Sequence, residues 1–571
     1  MYIKIEIKQS TWSFRELIFA PLSRFLRQGC VTGFLLISIF LMTACSGTDN
    51  SSSSGNASRP LSADQEIRGW MILSDDVDGG LRTIQRAADY DINHLQISHH
   101  VIHDLRHVRD PKRLEIAKIL TEAAKNAGIQ EVAFWDRNLY PLSYYPDEFK
   151  TGPDGTINLD DPEFWDWLRN DYREMLDMAP PIEALILTFI ETGARVENQY
   201  SETMKSDAEK LAAIVNAVAG VVIDEYGMNL YARTFAYDDE EFDWIVGAID
   251  LFEHDEIRLM MKETPHDFFI THPLDVYAGQ LARPTIIEFD TAGEYHGHGM
   301  VLNTFPEVFL NRFADYLRRD HIVGYVARTD RYGTTQIVDR PAEIHLKALS
   351  MYFEDRSTIP DDIYRKFITE RYGDRAYPML RAAFENSLDI TLSTFYTLNT
   401  NSTNHSKLNH DPYPSSYGRH VSGEWMDPPV TYVQRGVNRE FHYWKDIVNT
   451  LAPNWAKAGG TQLEEVPWVL EEGWLDQQEN MNEEYLQFIL TEKEYGVALA
   501  MENLKHLEAA RPYLSNEDYE DLYHHFNHTL LTIRLHREAA AAYWGFRIYA
   551  RGSEFRSDYL VSTLDAHWIT C

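Results

Sequence analysis

Three cysteines in 571 residues, Cys30, Cys45 and Cys571, leave no material for a disulfide framework. Stability has to come from burying apolar surface, which a chain of this length can do across two domains. Basic residues are scarce too: 53 Lys and Arg stand against 88 Asp and Glu, for a net charge of −35. A field of that sign repels phosphate backbones, so nucleic acid is excluded as a partner, and polyanions are opposed at long range. A long hydrophobic run is also missing. The most apolar stretch, residues 31–42, falls short of the roughly 20 residues that a membrane-spanning helix needs.

That stretch follows Lys4, Lys8, Arg15, Arg24 and Arg27, and it ends in Leu41-Met42-Thr43-Ala44-Cys45, the anatomy of an export signal. The ending resembles a bacterial lipoprotein box, which implies cleavage before Cys45 and lipidation of its thiol. An ordinary signal peptide or an uncleaved anchor is the alternative. Residues 1–44 are then leader, and residues 45–63, rich in Ser, Gly and Asn, form a flexible tether. Serine rather than aspartate at position 46 suggests the outer membrane, so a lipid-anchored place in the cell envelope is expected.

Beyond the tether, eight short apolar runs end in polar or charged residues: 68–73, 94–98, 131–136, 184–191, 229–235, 257–263, 284–290 and 322–329. Most are followed by a stretch that can hold a helix, and this repetition predicts a (β/α)8 barrel over residues 64–335. After it the texture changes. Residues 342–353, 361–372, 377–396, 432–451, 481–508 and 516–548 carry helical apolar spacing and predict an α-helical domain over 336–571. Between these helices, residues 399–429 form a long loop holding His405, His410, Tyr413, Tyr417, Arg419, His420 and Trp425, side chains suited to contacting sugar. The counts of 13 Trp, 32 Tyr and 27 Phe are high, and surplus aromatic rings suit carbohydrate clefts.

Barrel enzymes place their chemistry at the C-terminal ends of the strands. Strand four delivers Glu191, where a partly desolvated carboxyl would have a raised pKa and suit a general acid. Strand six is followed by Asp267, and strand seven leads through Glu288 and Asp290 to Glu294. Three acids from three strand ends match the needs of glycoside hydrolysis, in which one carboxylic acid protonates the leaving oxygen and a carboxylate activates water or attacks. Arg233, Lys262 and Arg328 close strands five, six and eight and could grip a carboxylate. At the ends of strands one to three, Asp75 and His99 could bond hydroxyls, and Trp135 could form a sugar platform.

The segment Lys262-Glu263-Thr264-Pro265-His266-Asp267-Phe268, followed by Glu288-Phe289-Asp290-Thr291-Ala292-Gly293-Glu294-Tyr295-His296-Gly297, resembles the paired motifs of the α-glucuronidases of glycoside hydrolase family 67. The resemblance implies that Asp267 and Glu294 activate water and that Glu191, near Gly193, supplies the general acid, with Glu288 and His296 at the substrate. It implies a uronic-acid-containing oligosaccharide of plant or algal origin as the partner. Thr192 intervenes between Glu191 and Gly193, Asp290 and Gly293 replace two glutamines of the family, and residues 1–63 offer no counterpart of its leading β-rich domain. The kinship is therefore distant.

His99-His100 and His296-Gly297-His298 invite a metal reading. Two-metal barrel hydrolases commonly take a His-x-His pair from strand one, which here ends in Ser74-Asp75-Asp76, so neither metal nor cofactor is expected. Two other functions use the same features. One is a uronate-directed dehydratase or lyase working through the same acid/base pair, and the other is a non-catalytic surface glycan-binding lipoprotein.

Overall fold

A computed structural model of the chain describes residues 60–62, 65–236, 239–264, 267–270, 274–333, 335–397, 400–401, 406 and 482–568. The leader, Cys45, His266, the expected helix at 432–451 and most of the 399–429 loop, with all seven of its named side chains, lie outside the described residues.

Eight parallel strands close on themselves in sequence order: β1 Ile67–Ile72, β2 His94–Ile97, β3 Glu131–Arg137, β4 Ala184–Thr188, β5 Asn229–Thr234, β6 Arg258–Lys262, β7 Thr285–Phe289 and β8 Ile322–Arg328. This is the expected (β/α)8 barrel. Helices α1 Val77–Ala87, α2 Pro111–Asn126, α3 Pro162–Met178, α4 Asp207–Ala219, α5 Asp239–Ile249 and α6 Pro306–Tyr316 lie between strands, and α7 Ile344–Glu354 follows β8. Among the described residues no helix joins β6 to β7. Local chemistry starts these helices: Asp110 accepts from the amides of Lys112 and Arg113 ahead of α2, with Pro111 in the first turn. Ser206 and Glu209 form a reciprocal capping box at α4.

Inside the barrel, Ile67, Met71, Ala133, Ile186, Met260 and Val326 form an apolar plug. Toward the N-terminal end Glu131 is buried between His94 and Tyr231, each at 2.7 Å, with Arg258 alongside. That network continues upward through Gln96, whose amide oxygen accepts from the Trp135 indole at 2.8 Å.

Closure depends on a close approach at the β1–β8 seam. A methyl group at Gly324 would stand 2.0 Å from the Ile67 carbonyl oxygen, which is backbone and cannot yield. Gly324→Ala is therefore expected to cost at least about 1–3 kcal/mol, read as a lower urea midpoint.

The same seam carries a titrating group. Asp330 accepts from the amides of Leu73 at 2.7 Å and Ser74 at 3.4 Å, and burial pushes its carboxyl up to about 7. The folded chain thus holds this proton more tightly than the unfolded one. The stability it contributes is complete below about pH 4 and is lost as pH rises through about 7. Relative to the parent, Asp330→Asn is expected to gain stability between pH 5 and pH 8, measured as urea midpoints; a constant difference would contradict this.

Past the barrel, α8 Pro360–Tyr372, α9 Tyr377–Glu385, α10 Ser387–Phe395, α11 Glu483–Ala510, α12 Asn516–Arg551 and α13 Asp558–Trp568 form the helical region. The single helix expected over 377–396 is two, broken at Asn386, whose side-chain amide turns to Asn503 at 2.9 Å. Barrel and helices belong to one compact unit, Ser58–Cys571. They meet over the loop after β7, where the amide of Leu302 donates to Thr529 and that of Thr304 to Ser387. No described helix is long and apolar enough to cross a membrane.

Candidate active site

At the C-terminal mouth of the barrel lies a cavity of about 370 Å³, and Glu191, Asp267 and Glu294 all line it. Strand six positions the first cation: Lys262 reaches Asp267 at 2.7 Å, held between the rings of Phe235 and Phe268 at 3.8 and 4.5 Å. The other oxygen of Asp267 accepts from the Tyr295 hydroxyl at 2.7 Å. Burial lowers the pKa of Lys262, with Asp267 pulling the other way.

Glu294 is placed by the turn after β7. Asp290, buried, accepts from the amides of Gly293 and Glu294 at 3.2 and 2.6 Å, and Gly293 supplies the left-handed residue (φ 80°) that the turn requires. One Glu294 oxygen then meets Arg328 at 2.8 Å and the other Arg331 at 2.9 Å. Burial, with Glu294 nearby, pushes Asp290 up to about 7, whereas Arg328 softens the effect. Ser406, a described residue of the long loop, donates to the Glu294 carbonyl at 2.9 Å and accepts from the Gly297 amide at 2.8 Å. Part of that loop is thus tied to the site.

Glu191 sits three residues beyond the end of β4, in left-handed backbone (φ 59°). His99, after β2, is also left-handed (φ 44°). Such conformations cost of order 1–3 kcal/mol in non-glycine residues and gather at functional sites. Glu191 is partly desolvated: its side chain keeps 36% of its surface exposed and stands 3.4 Å from the Arg137 guanidinium.

Five further expectations can be placed. His99, Arg233 and Lys262 line the cavity, as does Arg328. Trp135 lines it too but is no open platform, because Arg233 covers its ring at 4.7 Å, His99 packs at 5.2 Å and only 1% is accessible. The aromatic ring at the rim is instead Tyr332, half-buried beside His100 and His298.

Three expected substrate contacts are corrected. Asp75 does not line the cavity; its side chain is half exposed, 3.9 Å from Lys112, because the chain turns outward there to begin α1. Glu288 lies beneath the floor, fully buried, bridging Arg233 at 2.7 Å and Arg328 at 2.8 Å. Burial opposes its charge, but Arg233, Arg328 and Lys262 outweigh that and hold its carboxyl below the usual range. It fixes the cations rather than touching a ligand. His296 points away, packed among Phe305, Phe309 and His345, with both ring nitrogens buried.

Several lining residues had no role expected of them, Arg137 at the end of strand three among them. His103 and His107 extend a row from His99, with ring centroids 5.8 and 6.3 Å apart, and Arg113, Arg137, Tyr295 and Arg331 complete the wall. Burial and then Arg137 pull His103 down to about 3, so this row is neutral at pH 7. The spacing of positions 99, 103 and 107, four apart, was the available signal. Among the described residues no group of His, Cys, Asp and Glu is arranged to hold a metal ion.

No protein-family model matches the chain, and no curated protein resembles it. Among solved structures, a mutant of the Thermobaculum terrenum O-GlcNAc hydrolase aligns over 86% of this chain and 97% of its own, at 13% identity and a TM-score of 0.42. The structure titled CpGH84B aligns over 88% and 74%, at 10% identity and 0.44. BtGH115A, described as a family GH115 4-O-methyl-alpha-glucuronidase with specificity for decorated arabinogalactans, aligns over 89% of this chain but 58% of its own, at 11% and 0.45. None of these fixes a family. Likeness this distant follows the course of the chain and does not speak to substrate.

Proposed function

We propose that this chain is an exported carbohydrate-active hydrolase that removes a uronic-acid unit from an oligosaccharide, in the manner of an α-glucuronidase, and is held at the cell envelope by lipid on Cys45. The observation that carries this is the cavity itself. In a protein of net charge −35, one pocket at the catalytic end of a barrel gathers six Lys and Arg side chains around three carboxylates. The surface charge opposes an anionic ligand, and the pocket welcomes one.

In this reading Glu191, at the rim and open to solvent, protonates the departing oxygen. Asp267 and Glu294 lie on the base side, activating the water that attacks the anomeric carbon, with inversion. Arg137 and Arg331, both lining the cavity, receive the uronate carboxylate. Tyr332 and the neutral histidine row meet the apolar sugar face and the hydroxyls. A second reading draws on Lys262, whose burial favours the neutral amine beside Asp267: such a pair could remove the proton next to the uronate carboxyl and lead to elimination.

One assay separates the two. The protein is incubated with a panel of uronate-bearing oligosaccharides while new reducing ends and ultraviolet absorbance are followed together. Hydrolysis yields reducing ends with no absorbance change, and elimination yields a conjugated C=C bond that absorbs. Unchanged product formation by Glu191→Ala would refute the assignment of the acid.

A further inference from the structure

We infer that the chain carries a second ligand site, a cavity between the loop after β7 and helix α12 that takes an uncharged sugar unit. Such a site lies outside the proposed reaction and stands whether or not the mouth takes a uronate. The cavity holds about 350 Å³, close to the 370 Å³ of the mouth, and none of its described lining residues belongs to the mouth. Asp521, His524, His528 and Leu531 lie three or four residues apart and so stack along one face of α12. Met300 and Arg340 join them from the barrel side, with an Arg340 nitrogen 3.8 Å from the Met300 sulfur. The walls are tied together. Thr529 accepts from the Leu302 amide at 2.7 Å and donates to the His525 carbonyl at 2.6 Å, and the His525 ring bonds to the Met300 backbone. The loop bearing Met300 is thus pinned to α12 on both sides of residue 301, and a preformed cavity needs little ordering when it binds.

The lining mixes the groups that a sugar needs. Met300 and Leu531 keep 38% and 54% of their surface exposed, apolar groups able to meet the C–H face of a sugar ring. Beside them stand the Arg340 guanidinium, the Asp521 carboxylate, the Asn527 amide and the imidazoles. Burial pulls His525 down to about 4, against Asp521 and with Arg340, and it lowers His528 as well, so both are neutral at pH 7. A neutral imidazole offers one donor and one acceptor, as a hydroxyl both donates and accepts, and a ligand rich in hydroxyls satisfies both kinds together. Other ligand classes fit less well. An apolar molecule would strip water from Arg340 and Asp521 without replacing its hydrogen bonds. An anion would meet Asp521 as well as Arg340, in a protein of net charge −35. A metal ion finds no group of His, Cys, Asp and Glu arranged to hold it among the described residues.

The test is a ligand-observed NMR titration of the full chain with three neutral trisaccharides, of xylose, of glucose and of galactose. The parent is compared with Leu531→Trp and Asn527→Ala. Leu531 is exposed on its helix, so an indole there fills the cavity without disturbing the core, and urea midpoints equal to the parent's show that each variant is folded. At least one trisaccharide is expected to bind the parent. Its affinity should fall about tenfold or more in Leu531→Trp and about three- to tenfold in Asn527→Ala, the size of a lost hydrogen bond. Such a loss in either folded variant supports the site. No binding of any trisaccharide overturns it, and binding that both variants leave unchanged places the sugar elsewhere and overturns it too. Zinc is titrated into the sugar-free chain as a further probe: binding that His524→Ala abolishes gives the cavity to a metal and overturns the sugar. Turnover of uronate-bearing oligosaccharides is read separately, and kcat should be unchanged in both cavity variants. A parent inactive on all of them overturns the uronate reading and leaves the binding result standing.

Discussion

Asp267→Asn is expected to lower kcat on a uronate-bearing oligosaccharide by about 10²- to 10⁴-fold, the range spanned by a positioned acid or base. The amide keeps the size of the carboxylate, and the Tyr295 hydroxyl, now 2.7 Å from one oxygen, can still donate to the remaining carbonyl. What is lost is the charge beside Lys262 and the capacity to take a proton from water. Glu294→Gln is expected to act differently. It loosens two arginines at once, Arg328 and Arg331, and so should raise KM as well as lower kcat. Steady-state kinetics on both variants, with near-ultraviolet circular dichroism to show intact packing, checks the pair. Full activity in both would remove these carboxyls from the chemistry.

Glu288→Gln is expected to give the largest loss of stability, about 3–5 kcal/mol at pH 7, although the residue lies out of a ligand's reach. Its carboxylate is the common partner of Arg233 and Arg328 and is fully buried. Without it two guanidiniums face each other across the floor with Lys262 nearby. Because its folded pKa is held down, its contribution is present above the unfolded value of about 4.3 and fades as pH falls below that. Urea unfolding at pH 7 and again near pH 3 should therefore show the cost shrinking in acid. An equal cost at both pH values would mean that packing, not charge, is what the substitution removes.

The barrel was legible because its strands are short apolar runs with polar ends, and hydrogen bonding stops within a few residues of where each run does. Strand four shows the limit: Phe189 and Ile190 prolong the apolar run, yet the ladder ends at Thr188 and the chain turns left-handed at Glu191. Apolar spacing alone cannot see that turn. The same holds at Asn386, where a continuous helical pattern hides a break made by one side chain's outside partner. Glu288 could have been placed correctly from period two, since Ile286 faces the barrel interior and Glu288 must share its side. The resemblance of its segment to the paired family motifs drew it to the mouth instead. Arg113 and Arg331 belong to a helix start and a loop beyond the strand, so a search of strand ends passes over them, and with them two of the six cations that line the cavity.

The central claim is that a cationic pocket reads the carboxylate of an anionic sugar and that the carboxyls beside it cleave the bond. It is tested most directly by presenting one uronate-bearing oligosaccharide in two forms, as the free acid and as its methyl ester, and comparing kcat/KM. Loss of the charge removes what Arg137 and Arg331 are there to grip, so the ester should be turned over at least about 100-fold more slowly, the worth of a charge-assisted contact in a largely dry site. Equal rates on acid and ester would contradict the account.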